Sequence, residues 1–209
     1  DADRFDYQGA SMTTTLADQL IEILRQAGVQ RIYGIVGDSL NPIVDAVRKS
    51  GGSAKGGIDW VHVRHEESAA FAAAAEAQLT GRLAVCAGSC GPGNLHLING
   101  LYDANRTGAP VLAIASHIPS AQIGSGFFQE THPDRLFNEC SAYNEMVVSA
   151  HQGQRIMHSA IQHALALFIG DLHARVVRGH ALFEDRHQPL HELWIAGRDK
   201  GVNRRRARD

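Results

Sequence analysis

Short apolar runs alternate with helix-period segments through most of this 209-residue chain, and that alternation restricts its fold more than any single motif. Strand-length runs fall at 31–36, 60–63, 83–87 and 110–115. Between them the pattern predicts helices. Thr13-Thr14-Thr15 offers a cap, then Leu16, Leu20, Ile23 and Leu24 recur at helical spacing until Gly28. Residues 41–49 carry a proline in the first turn, where it is tolerated. Residues 66–79 are alanine-rich and strongly helical, and 92–105 and 152–165 read as two more helices. Buried strands joined by helical crossovers imply an α/β fold, a doubly wound parallel sheet with helices on both faces. In such sheets ligands bind beyond the carboxyl ends of the strands. Gly37-Asp38, His65-Glu66 and Ser89 to Gly93 each follow a strand, so the pattern places all three on one rim.

A hydrophobic fraction of 44% is enough to fill a core, and a net charge of −2 argues against a nucleic-acid or membrane-surface protein. The charge is uneven: residues 1–166 carry a net of −5 and residues 167–209 a net of +3. No apolar run approaches the roughly 18 residues of a membrane span. Cys86, Cys90 and Cys140 are an odd number and read as reduced thiols, which points to a cytoplasmic setting. Residues 1–11 are polar and aperiodic and are expected to be a disordered leader. Beyond Leu167-Phe168-Ile169 periodicity fades, and the chain ends in Asn203-Arg204-Arg205-Arg206-Ala207-Arg208-Asp209. Residues 172–209 are therefore expected to be a divergent, disordered tail behind a domain spanning 12–171. A short basic tail of this kind is ordinarily solvated.

Four segments can carry chemistry. Glu66 opens a helix, where a carboxylate gains roughly 0.3–1 kcal/mol from the dipole without any further role. Gly91-Pro92-Gly93 makes a tight strand-to-helix turn with little side-chain bulk. It meets neither the dinucleotide fingerprint nor the phosphate-loop pattern. Asp38 and Ser39 have the composition of a helix cap. Phe127-Phe128-Gln129-Glu130-Thr131 reads as an aromatic-anchored loop. His62-x-x-His65 and His187-x-x-x-His191 have spacings that zinc uses, but neither brings a set of four ligands, so no metal site is expected from them.

Arg64-His65-Glu66-Glu67-Ser68-Ala69-Ala70-Phe71, followed by Ser89-Cys90-Gly91-Pro92-Gly93-Asn94-Leu95-His96-Leu97-Ile98-Asn99-Gly100-Leu101, resembles the pyrimidine-binding domain of thiamine-diphosphate enzymes. The likeness runs over about residues 14–166 and is nearest to bacterial pyruvate oxidase, including its quinone-reducing pyruvate dehydrogenase form. It implies that Glu66 is the acid that activates the cofactor, a single carboxyl group in a dry pocket. The same likeness gives Pro92 and His96 to cofactor contact. Gln129 would be catalytic beside Phe128 on the substrate side, with Asp38 and Ser39 near the substrate, while Glu67 faces solvent or a subunit boundary.

For the whole protein the resemblance implies decarboxylation of pyruvate to acetate with electrons passed to flavin and quinone. Magnesium and FAD would be held by further domains, and the cofactor would lie at the interface of a homodimer or tetramer. Acetolactate synthase or another 2-oxoacid decarboxylase is the alternative activity, and a non-catalytic fragment or binding module the alternative of another class. The family's magnesium motif, Gly-Asp-Gly, is absent from these 209 residues, so a truncated and singly inactive chain is expected. The departure after Ala166 reads as a frame shift, a truncated gene or a lineage-specific extension.

Overall fold

The computed structural model describes residues 14–177. The expected leader and most of the expected tail lie outside that range, as do His180, His187 and His191.

Thr15 begins the fold. Its hydroxyl accepts the N–H of Asp18 at 3.1 Å, and the Asp18 carboxylate accepts the N–H of Thr15 at 3.1 Å. This reciprocal pair satisfies two donors that a helix start otherwise leaves unmet. It opens helix α1, Leu16–Gln26. The chain then runs through β1 (Arg31–Gly34), α2 (Asn41–Ser50), β2 (Asp59–His62), α3 (Glu66–Thr80) and β3 (Ala84–Gly88). Next come α4 (Pro92–His96), α5 (Ile98–Thr107), β4 (Val111–Ala115), α6 (Pro133–Leu136) and α7 (Ala150–Val177).

The four strands form one parallel sheet in the order β2-β1-β3-β4. The chain leaves β1 toward β2 on one side and returns to pair β3 on the other. The loops beyond β1 and β3 therefore diverge from adjacent strand ends, the geometry that opens a crevice in doubly wound sheets.

Alternation along each strand sorts side chains between two cores. Ile32, Val85, Ala87 and Leu112 join Leu24, Leu40, Val47, Met157 and Ile161 beneath α1, α2 and α7. Ala84 and Cys86 face the opposite way, against α3 and α5. There α3 presents Ala69, Ala70, Ala73, Ala74 and Ala77, all at most 1% exposed. A face of methyl groups lets α5 approach closely, and Gly100 completes the contact. A Cβ at Gly100 would collide with the Ala70 side chain and lie 2.7 Å from the Phe71 nitrogen.

Several expectations about element limits need correction. The expected helix over 92–105 is two helices. Leu97, fully buried, donates its N–H to Asn94 at 3.2 Å, a three-residue step that tightens the turn and separates α4 from α5. The first strand stops at Gly34 rather than Val36. Asp38 and Ser39 do not cap α2: its N-cap is Leu40, and no side chain bonds there. The backbone is helical through Val177, so Leu167-Phe168-Ile169 forms no strand and α7 runs past the predicted end at 165. A short helix, α6, lies in a stretch for which no helix was predicted. All three cysteines are buried and unbridged. Burial pushes the Cys86 thiol up to about 12, which keeps it unreactive.

Candidate functional site

Glu66 owes its position to three neighbouring elements. It is the first residue of α3 and only 8% exposed. His65 caps that helix, its Nδ1 accepting the Glu67 N–H at 3.3 Å. Glu66 Oε2 lies 3.1 Å from Nδ1 of His96, at the end of α4. Oε1 lies over Gly93, where a Cβ would sit only 3.2 Å away. The buried carboxylate thus rests on a turn with no side chain to cover it. The two imidazoles stack beside it, ring centres 4.3 Å apart and planes 28° from parallel.

Backbone geometry requires glycine at Gly91. Its φ of 72° is unfavourable for a residue with a Cβ. The space a side chain would occupy is taken by Gln129, whose Cβ would be 2.7 Å from such a group. The loop beyond β4 therefore closes on the turn beyond β3. Cys90 adds a long contact from its thiol to Gln129 Oε1 at 3.6 Å. Gln129 itself has a φ of 65°, a left-handed conformation uncommon outside glycine. Glu130 shapes the loop from below, its carboxylate accepting the N–H groups of Gly124, Gly126 and Phe127 at 2.5, 2.8 and 3.2 Å. Those backbone donors, Gly124 first, hold its carboxyl below the usual glutamate value.

Ser39 links the remaining loops. Its hydroxyl lies 2.9 Å from Ser89 Oγ and 2.6 Å from Ser116 Oγ, and accepts the Cys90 N–H at 2.9 Å. Asn94, fully buried, donates to the Ser116 carbonyl at 2.7 Å.

The residues singled out from sequence divide accordingly. Glu66 and His96 meet directly, and Gln129 packs on the Gly91 turn. Ser39 is at the centre of the hydroxyl cluster. Pro92 is exposed at the first turn of α4, and Asp38 is exposed in the turn after β1. Phe128 is 79% exposed. Glu67 accepts from Asn99 at 2.8 Å and is half-buried. Ser89, Ser116 and Asn94 were missed as partners. Ser89 and Ser116 are common loop residues and Asn94 sits inside α4, and nothing in their local sequence marks bonds formed across 22 to 77 positions.

A parallel α/β sheet with a buried carboxylate over a glycine turn, at the strand ends beside the switch point, defines a ligand-binding α/β domain. The particular family is the one described as thiamine pyrophosphate enzyme, N-terminal TPP binding domain: it matches residues 14–137, and the chain belongs to it. Over 154 residues the chain is 64% identical to an uncharacterised 42.6 kDa protein in the isoamylase 3′ region of Pseudomonas amyloderamosa, covering 74% of this chain and 38% of that protein. It is 40% identical over 147 residues to pyruvate oxidase of Lactiplantibacillus plantarum, covering 70% of this chain and 24% of the enzyme. Over 144 residues it is 35% identical to the acetolactate synthase isozyme 2 large subunit of Escherichia coli, covering 69% and 25%. The chain thus spans from about a quarter to two fifths of the length of these relatives.

Proposed function

We propose that this domain holds the aminopyrimidine half of thiamine diphosphate in a 2-oxoacid enzyme of the pyruvate oxidase kind, with Glu66 as the activating acid. One observation carries the reading: the Glu66 carboxylate is buried at the ligand rim, over a turn whose glycine leaves its Oε1 uncovered by any side chain at position 93. A flat ring with nitrogen donors and acceptors suits that cradle, since the carboxyl group can share a proton with a ring nitrogen. Bound there, thiamine diphosphate supplies the nucleophilic carbon used in 2-oxoacid decarboxylation.

This chain's residues would position and polarise the group. His96 holds Oε2 and so fixes the rotamer that leaves Oε1 to the ligand. The Gly91-Pro92-Gly93 turn accommodates the plane of the ring, with Pro92 at its edge. Gln129 reaches the same turn from the loop beyond β4, which favours a hydrogen bond from its amide to a pyruvate-derived group. Phe128 stands exposed beside it. Asp38 and Ser39 border the neighbouring strand end.

Magnesium, the diphosphate and FAD belong, in this reading, to parts of the protein beyond this domain, and a second subunit closes the cofactor site. Pyruvate oxidase is favoured over acetolactate synthase by the Phe128-Gln129-Glu130-Thr131 loop.

Titration of the 209-residue chain with thiamine, followed by amide chemical shifts, tests the reading. Shifts are expected at Glu66, Gly93 and His96 and are lost in Glu66→Gln. Titration with thiamine diphosphate and magnesium by calorimetry should give binding weaker than micromolar, that is, less favourable than about −8 kcal/mol. Silence at all three amides would overturn the assignment.

A further inference from the structure

We propose that His65, Glu66 and His96 form a site for one divalent first-row transition metal of the zinc class. Their donor atoms all lie within 4.8 Å of one another. The set spans two elements: His65 and Glu66 start α3, and His96 comes 30 residues later at the end of α4. Spacing along the sequence therefore does not display it.

One pair already has a bite suited to a metal ion. Two donors that each sit about 2.0–2.2 Å from one ion stand roughly 3–3.5 Å apart. Glu66 Oε2 and His96 Nδ1 are 3.1 Å apart. An ion between them would replace the hydrogen that now joins them. His65 must swing inward by something over an ångström. Its side chain is 48% exposed and is held by a long 3.3 Å bond and by its stack on His96, whose own side chain is 43% exposed, so both rings can rotate. Glu66 cannot move far, being buried against Gly93, and acts as the fixed arm of the chelate.

Outer groups suit the role. Glu67 Oε2 lies 3.8 Å from His65 Nδ1, and Asn99 holds the other Glu67 oxygen at 2.8 Å. With the ion on its Nε2, His65 would release the Glu67 N–H, take a proton on Nδ1 and turn it toward that carboxylate, which then orients the ring and raises its basicity. Two imidazoles and one carboxylate make a set that zinc accepts while keeping a fourth position for water. Imidazole nitrogen also favours zinc, cobalt, nickel and copper over magnesium or calcium, which prefer all-oxygen sites.

The inference does not rest on the thiamine reading, and its test contains no thiamine. The full chain is titrated with Co²⁺, read by visible absorption, and with Zn²⁺ by calorimetry. One equivalent is expected, with a tetrahedral-type Co²⁺ spectrum. Glu66→Gln and His96→Ala should each weaken binding at least tenfold, with His65→Ala as the exposed-residue variant least able to disturb folding. Far-UV dichroism checks that each variant is folded. The double variant His187→Ala, His191→Ala, which removes the other zinc-like spacing, should bind as the parent does. No binding, or an affinity unchanged in the three site variants, would overturn the proposal.

Discussion

Gly93 sets the position of Glu66 as firmly as the bond from His96 does. At 3.2 Å, a methyl group on Gly93 would crowd Oε1, which must give by a few tenths of an ångström. Gly93→Ala is therefore expected to cost about 1–3 kcal/mol, the range for overpacking, and to abolish the thiamine-induced shift at Glu66. Urea unfolding together with the same amide titration would check both effects. A variant of parental stability and parental shifts would mean that the carboxylate is held by His96 alone. At this scale the sequence was legible in part. Glu66 and the glycine turn could be found because each belongs to a contiguous motif at a strand end. The meeting of Glu66 with His96 was not legible as a bond, because it depends on the pitch at which α4 leaves β3. Asp38 and Ser39 have the same cap-like composition, yet only Ser39 enters the cluster; the short turn after β1 faces one side chain inward and the next outward.

Among the elements, α3 and α5 depend on the absence of bulk. Gly100→Val would force the helices apart where Ala70 now touches the glycine, and should destabilise the domain by about 3 kcal/mol or more, since β-branched overpacking adds to the clash. Equilibrium denaturation would measure it. The loop beyond β4 is held by charge instead. Glu130 has a carboxyl pKa lowered in the fold, so its hold on the loop is present above the ordinary glutamate value and is lost as pH falls through the lower, folded value. The amide protons of Gly124 and Gly126 should report that transition by NMR, titrating together below the usual carboxylate range. In Glu130→Gln the titration should vanish. Elements were legible where period and punctuation agreed, as at Thr15. They were least legible where tertiary packing decided, as at Leu97, whose burial divides a helix that the residue pattern alone would continue.

For the molecule as a whole, β4 pairs only with β3 among the described residues. A cavity of about 340 Å³ lies beside it, walled by β4, α5, α7 and the segment near Phe137 and Tyr143. It is separate from the Glu66 rim. A strand with one open edge beside an apolar hollow invites pairing with another strand. The 209-residue chain is accordingly expected to self-associate at high concentration. Sedimentation equilibrium would check this, and a chain that stays monomeric throughout would show the edge to be protected.

The serine cluster has a consequence for how the rim behaves as a unit. A hydroxyl has one proton to give and two lone pairs to fill. Ser116 gives its proton to the Gly88 carbonyl at 3.1 Å, so it must receive from Ser39. Ser39 already accepts from Cys90, so its second lone pair must be filled by Ser89. With every bond made, the protons can point in only one sense: from Ser89 through Ser39 and Ser116 to the last carbonyl of β3. The three loops beyond β1, β3 and β4 are joined by a one-way circuit that starts and finishes on β3 and its turn, and opening it at any serine would leave a neighbour's polar atom without its partner.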